Sequence, residues 1–159
     1  MTKRFVFCCL LLSVLVATAT AQSTIFIVRH AERADSSKDS DLSEGGRARA
    51  EALAKMLKDK NITAIYTTEF KRTQQTAVPL AKSLGIAVTT LPAKDNAPLV
   101  AKLRSLNGNA LVVGHGNTIP DLIKALGISE PINIGENDYD NLFEIVLEEN
   151  PKLIRLHYH

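Results

Sequence analysis

Short apolar, β-branched runs alternate along this chain with stretches whose apolar residues recur at helical spacing, and that alternation constrains the fold more than any other feature. Thr24 to Val28, Ala64 to Thr67, Ala87 to Leu91 and Ala110 to Val113 are bounded by turn residues, and they are short and continuous, as buried parallel strands should be. Between them, Ala50, Leu53, Ala54 and Leu57 keep the i, i+3, i+4, i+7 spacing of one helix face. Ala77, Leu80, Ala81 and Leu84 repeat it, as do Ile119, Leu122, Ile123 and Leu126, and Leu99, Leu103 and Leu106 suggest a further helix. Right-handed crossovers turn this β-α-β-α-β-α-β-α order into an α/β fold, a three-layer α/β/α sandwich around a mostly parallel sheet. Leu142 to Leu147 and Leu153 to His157, separated by Glu148-Glu149-Asn150-Pro151, read as a hairpin that adds an antiparallel C-terminal edge. Asp41 with Glu44 reads as a capping box before the first helix, and Gly85 and Gly127 follow the last periodic residues of two others.

The first residues carry a different pattern. Lys3 and Arg4 form a basic n-region, Phe5 to Val16 an apolar run, and Ala19-Thr20-Ala21 a small-residue cleavage site, so residues 1–21 are expected to be a cleaved signal peptide and residues 22–159 the mature domain, secreted or periplasmic. The apolar run is shorter than the roughly 20 residues a membrane span requires, so no stable membrane insertion is expected after cleavage. Cys8 and Cys9 are the chain's two cysteines and would leave with the peptide. The mature domain is then expected to have no disulfide, no thiolate nucleophile and no zinc-thiolate site. Its 17 acidic residues stay, while Lys3 and Arg4 go from a total of 19 basic residues, so the net charge falls from +2 to about zero. Clustered Lys and Arg over a face, the footprint of nucleic-acid binding, are not expected on such a chain.

Chemistry concentrates where predicted strands end. Val28-Arg29-His30-Ala31-Glu32 follows the first strand, and Gly114-His115-Gly116-Asn117 follows the fourth. Arg72 follows the second strand closely and opens the helix whose apolar stripe is Ala77, Leu80, Ala81 and Leu84, pointing away from that stripe. Ligands of open α/β sheets bind outside the carboxyl ends of the strands, which would bring Arg29, His30, Arg72 and His115 together. Two guanidiniums and two imidazoles at one point repel unless an anion sits among them, and the guanidinium fork suits phosphate oxygens. Gly116 and Asn117 leave little side-chain bulk before a helix starting near Thr118, whose free N–H groups would add donors to the same anion. A neutral imidazole in such a cage can also act as a nucleophile. Two polar loops, Ala34 to Asp41 and Asn133 to Asp140, are candidates to border the site. His157 and His159 read as terminal strand residues without partners at metal-ligand spacing.

Arg29-His30-Ala31-Glu32, Leu42-Ser43-Glu44-Gly45-Gly46, Arg72-Thr73-Gln74-Gln75-Thr76-Ala77 and Gly114-His115-Gly116-Asn117, in that order, resemble the motifs of the histidine phosphatase (phosphoglycerate-mutase-like) superfamily. The resemblance implies a two-step phosphoryl transfer without metal or cofactor: His30 attacks phosphorus, and water hydrolyses the phosphohistidine. It implies that Arg29, Arg72 and His115 hold the phosphoryl oxygens, with Gly116 and Asn117 beside them. Many members place a carboxylate proton donor between the second arginine and the second histidine, and Asp95 is the acid carried over to that role, although the Asp95-Asn96 pair also suits a helix cap. With export, the expected substrate is a small or surface-attached phosphomonoester. The alternative is a catalytically silent phosphate- or phospho-ligand-binding module on the same fold.

Overall fold

Six strands and four helices follow one another in the predicted order in the computed structural model, which describes residues 22–159. The expected signal peptide, with Cys8 and Cys9, lies outside the described residues. The elements are β1 (Ser23–Arg29), α1 (Glu44–Leu57), β2 (Ile62–Thr68), α2 (Lys71–Leu84), β3 (Val88–Leu91), α3 (Ala97–Arg104), β4 (Asn109–Gly114), α4 (Ile119–Ala125), β5 (Asn141–Leu147) and β6 (Lys152–His157). One sheet takes them in the order β3-β2-β4-β1-β5-β6. β1, β2, β3 and β4 run parallel, while β5 runs antiparallel to β1 and β6 antiparallel to β5.

Alternation along the central strands divides the core into two layers, because successive side chains of a strand point to opposite faces. Phe26, Val28, Leu111 and Val113 pack with Leu53 and Leu57 of α1 and with Ala77 and Leu80 of α2. Ile25, Ile27, Ala110 and Val112 pack on the other face with Leu99 and Leu103 of α3 and with Ile119, Leu122 and Ile123 of α4. A strand buried on both faces has no polar side to display, which is why the first and fourth strands read as unbroken apolar runs.

Two local expectations are corrected. α1 is capped by Ser43, whose Oγ accepts from Gly46 N–H at 3.0 Å, and not by Asp41. An antiparallel bridge between Arg33 and Leu42 keeps the chain extended through Leu42, so the helix cannot begin earlier. The Asp41 carboxylate instead accepts from Gln75 Nε2 at 2.7 Å. At the other boundary, α3 ends at Arg104, and Leu106 packs against the core from beyond the helix. Gly85 caps α2 in the left-handed conformation, φ 67°, as its position after the periodic stripe implies.

Candidate active site

The cleft follows from the topology. β1 and β4 are parallel neighbours with Arg29 level with Gly114, but the chain leaves β1 towards the α1 and α2 face and leaves β4 towards the α3 and α4 face. Chains diverging from adjacent strand ends open a crevice between them. His30 N–H donates to Gly114 O at 3.0 Å, closing the floor of that crevice. Arg29, His30, Arg72 and His115 all line the resulting open cleft of roughly 360 Å³, together with Arg33, Gly116 and Asn117.

His30 and His115 are buried, 4% and 7% exposed, with ring centroids 5.4 Å apart. His30 Nδ1 lies 2.8 Å from the carbonyl of Ala31, which can only accept, so Nδ1 carries the proton and Nε2 keeps its lone pair. Burial first, then the charges of Arg72 and Arg29 and the neighbouring His115, outweigh the proton-retaining bond to Ala31 and lower the His30 pKa to about 3. His115 is lowered to about 4, again chiefly by burial and then by Arg72. Its Nδ1 faces Arg72 NH2 at 3.4 Å, a donor only, so the His115 proton is on Nε2, which lies 3.0 Å from Thr68 Oγ1. Both imidazoles are neutral near pH 7.

Each arginine is held by backbone on one side and by an aromatic ring on its face. Arg29 NH1 donates to Gly135 O at 2.9 Å and Glu136 O at 2.7 Å, with Cζ 4.2 Å from the Tyr139 ring. Arg72 NH1 donates to Lys38 O at 2.9 Å, and its Cζ lies 4.4 Å from the Phe70 ring. Burial and then the charge of Arg33 lower the Arg72 pKa, outweighing the opposing charges of Asp39 and Glu69. Arg29 Nε and Arg72 Nε are both buried and bond to no described residue. Buried donors of this kind ordinarily have an acceptor, and a tetrahedral oxyanion supplies several at once.

Six of the seven sequence-predicted site residues, Arg29, His30, Arg72, His115, Gly116 and Asn117, meet at this cleft. Asp95 is exposed on the loop before α3, and its Oδ1 accepts from Ala97 N–H at 2.9 Å. It lines a separate small cavity with Thr68, Leu91 and Asn96. Glu32 points away as well: its carboxylate pairs with Arg49 of α1 at 2.7 Å. Both polar loops border the site, the first through Lys38 and the second through Ile134, Gly135 and Glu136. Sequence reasoning missed Thr68, Phe70 and Arg33, each within a few residues of a motif, and Tyr139, which has no motif near it. Among the described residues no three His, Cys, Asp or Glu side chains gather as metal ligands do.

Residues 25–94 match the sequence profile of the histidine phosphatase superfamily (branch 1). The chain is 33% identical over 94 residues to a probable phosphoglycerate mutase GpmB of Yersinia enterocolitica, an alignment covering 55% of this chain and 40% of that one. It thus spans well under half the length of the curated relatives it matches. The protein histidine phosphatase SixA complexed with tungstate superposes with a TM-score of 0.72 at 22% identity, covering 84% of this chain and 96% of that one. A mycobacterial glucosyl-3-phosphoglycerate phosphatase superposes with a TM-score of 0.69 at 17% identity, covering 87% and 100%.

Proposed function

We propose that this chain, whose residues 25–94 match the sequence profile of the histidine phosphatase superfamily, hydrolyses a phosphomonoester through a phosphohistidine on His30. One observation carries the reading: a neutral imidazole with its lone pair on Nε2 shares a strand-end cleft with two arginines whose buried Nε donors have no partner among the described residues. In the first step Nε2 attacks phosphorus while the bond from phosphorus to the ester oxygen breaks, and the departing oxygen takes its proton from water in the open cleft to leave as the alcohol. Arg29 and Arg72 bind the non-bridging oxygens and stabilise the charge that spreads over them. Nδ1–H keeps its bond to Ala31 O, which orients the ring and stabilises the cationic phosphohistidine. An anion beside Arg72 also offsets the charge that, after burial, lowers the His115 pKa, and so moves His115 towards taking up a proton when the phosphoryl group binds. In the second step water attacks phosphorus and His30 leaves as the neutral imidazole with inorganic phosphate as product.

Hydrolysis is proposed over mutase chemistry in keeping with the phosphatases among the structures that share this fold. We place the enzyme outside the cytoplasm, on the signal-peptide pattern of residues 1–21, acting on a small or surface-attached phosphomonoester with no metal or cofactor. The silent binding module is the second reading, and one observation favours it: Asp95, the carboxylate proposed as proton donor, is engaged at the start of α3 and outside the basic cleft. Rapid acid-free quenching with excess p-nitrophenyl phosphate, followed by peptide mass analysis, separates the two. The enzyme gives one added phosphoryl group on the peptide carrying His30, and the module gives none at any time.

A further inference from the structure

The side-chain hydrogen bonds of Arg29 come from the loop between α4 and β5 and not from the strand-end motifs. Gly135 O and Glu136 O take both hydrogen bonds described for Arg29, through NH1 at 2.9 and 2.7 Å, and the Tyr139 ring covers the guanidinium face at 4.2 Å. The turn that presents them is closed on itself, with Gly135 N–H donating to Asp138 Oδ2 at 2.9 Å and Asp138 N–H to Gly135 O at 3.1 Å. The residue after Tyr139 is tied to the sheet edge. Asp140 O accepts from Tyr158 N–H at 3.0 Å, and Asp140 Oδ2 meets His157 Nδ1 of β6 at 3.0 Å. Tyr139 therefore sits between two anchored points, with its ring centroid 6.0 Å from that of His30.

Resting on the phosphatase reading above, we propose that Tyr139 is a positioning residue that acts through Arg29. A guanidinium has five donors in one plane. With NH1 spent on two carbonyls and one face covered by the ring, rotation of the side chain is blocked. The edge shared by Nε and NH2, which carries no hydrogen bond among the described residues, is then the one left for the phosphoryl oxygens. Stacking on a partly desolvated ring adds attraction to that constraint. The arginine is thereby oriented before the anion arrives, so little ordering remains to be done on binding.

The test uses residues 22–159 as the described domain, with Tyr139→Leu and Tyr139→Phe made alone and on Arg29→Lys. Two readouts are taken: the Arg29 Nε–H resonance without ligand, and the affinity for inorganic phosphate by calorimetry. Removing the ring in Tyr139→Leu should broaden or shift that resonance towards the solvent-exposed position and weaken phosphate binding roughly tenfold. Tyr139→Phe, which keeps the ring, should stay within about twofold of the parent on the same argument. On Arg29→Lys, the Leu substitution should change phosphate affinity by less than about twofold, because the group it positions is gone. An unchanged resonance in Tyr139→Leu, or the same loss of affinity with and without Arg29, overturns the proposal. So does a Phe variant as damaged as the Leu variant. A parent chain that binds no phosphate while its Arg29 resonance responds as expected contradicts the phosphatase reading and leaves the positioning role supported.

Discussion

His30 illustrates how much chemistry one backbone acceptor can set. The Ala31 carbonyl fixes the tautomer, burial and the neighbouring cations keep the ring neutral, and the free lone pair is the consequence. The same burial is a stability liability in acid. His30 and His115 have folded pKa values of about 3 and about 4, below the ordinary 6.5, so the unfolded chain binds protons that the folded chain refuses. Above the ordinary value neither ring contributes a slope; as pH falls from 6.5 towards 4, each lowers stability by up to about 1.4 kcal/mol per pH unit. Urea unfolding between pH 7 and 4.5 should therefore show a falling limb that flattens in the His30→Ala, His115→Asn double variant. A limb of equal slope in the double variant would mean that other groups carry it.

At the scale of elements, α1 is placed by a contact that only glycine permits. A Cβ on Gly46 would stand 2.3 Å from Glu32 O and 3.0 Å from Glu32 N, both backbone, in the segment that carries His30. Gly46→Ala should cost about 1–3 kcal/mol by forcing that helix outwards. Gly45→Ala, one residue earlier, meets nothing closer than Ser43 Oγ at 3.8 Å and should stabilise the chain by up to about 1 kcal/mol through helix propensity. Thermal unfolding of the two variants checks both signs, and equal effects would contradict the packing argument. Both glycines fall in the Leu42-Ser43-Glu44-Gly45-Gly46 motif, but a sequence does not say which of them touches backbone. The elements themselves were legible because fully buried strands and amphipathic helices write opposite apolar periods. Arg29, His30, Arg72 and His115 were legible because a strand end locates a residue without further folding information. The helix cap was misread, since the bridge of Arg33 to Leu42 depends on a loop folding back. Tyr139 lies in the loop Asn133 to Asp140 that the sequence offered as a border of the site, but its contact was not legible: it reaches Arg29 only because β5 pairs antiparallel with β1 and returns its leading loop to the strand end.

Across the whole molecule, the sheet order places β1 and β4 side by side at the sheet's centre and sends their loops to opposite faces, so one crevice collects residues 29, 30, 72 and 115 from three separate stretches of chain. Fold and site are thus one arrangement: a slip of β1 against β4 would move both imidazoles at once. We propose that this arrangement makes His30 a metal-independent nucleophile. The most direct test is hydrolysis of p-nitrophenyl phosphate by residues 22–159 in the presence of a chelator, beside His30→Ala. Turnover should survive chelation and fall by at least about a thousandfold in the variant. Turnover that disappears with the chelator, or persists in His30→Ala, would contradict it.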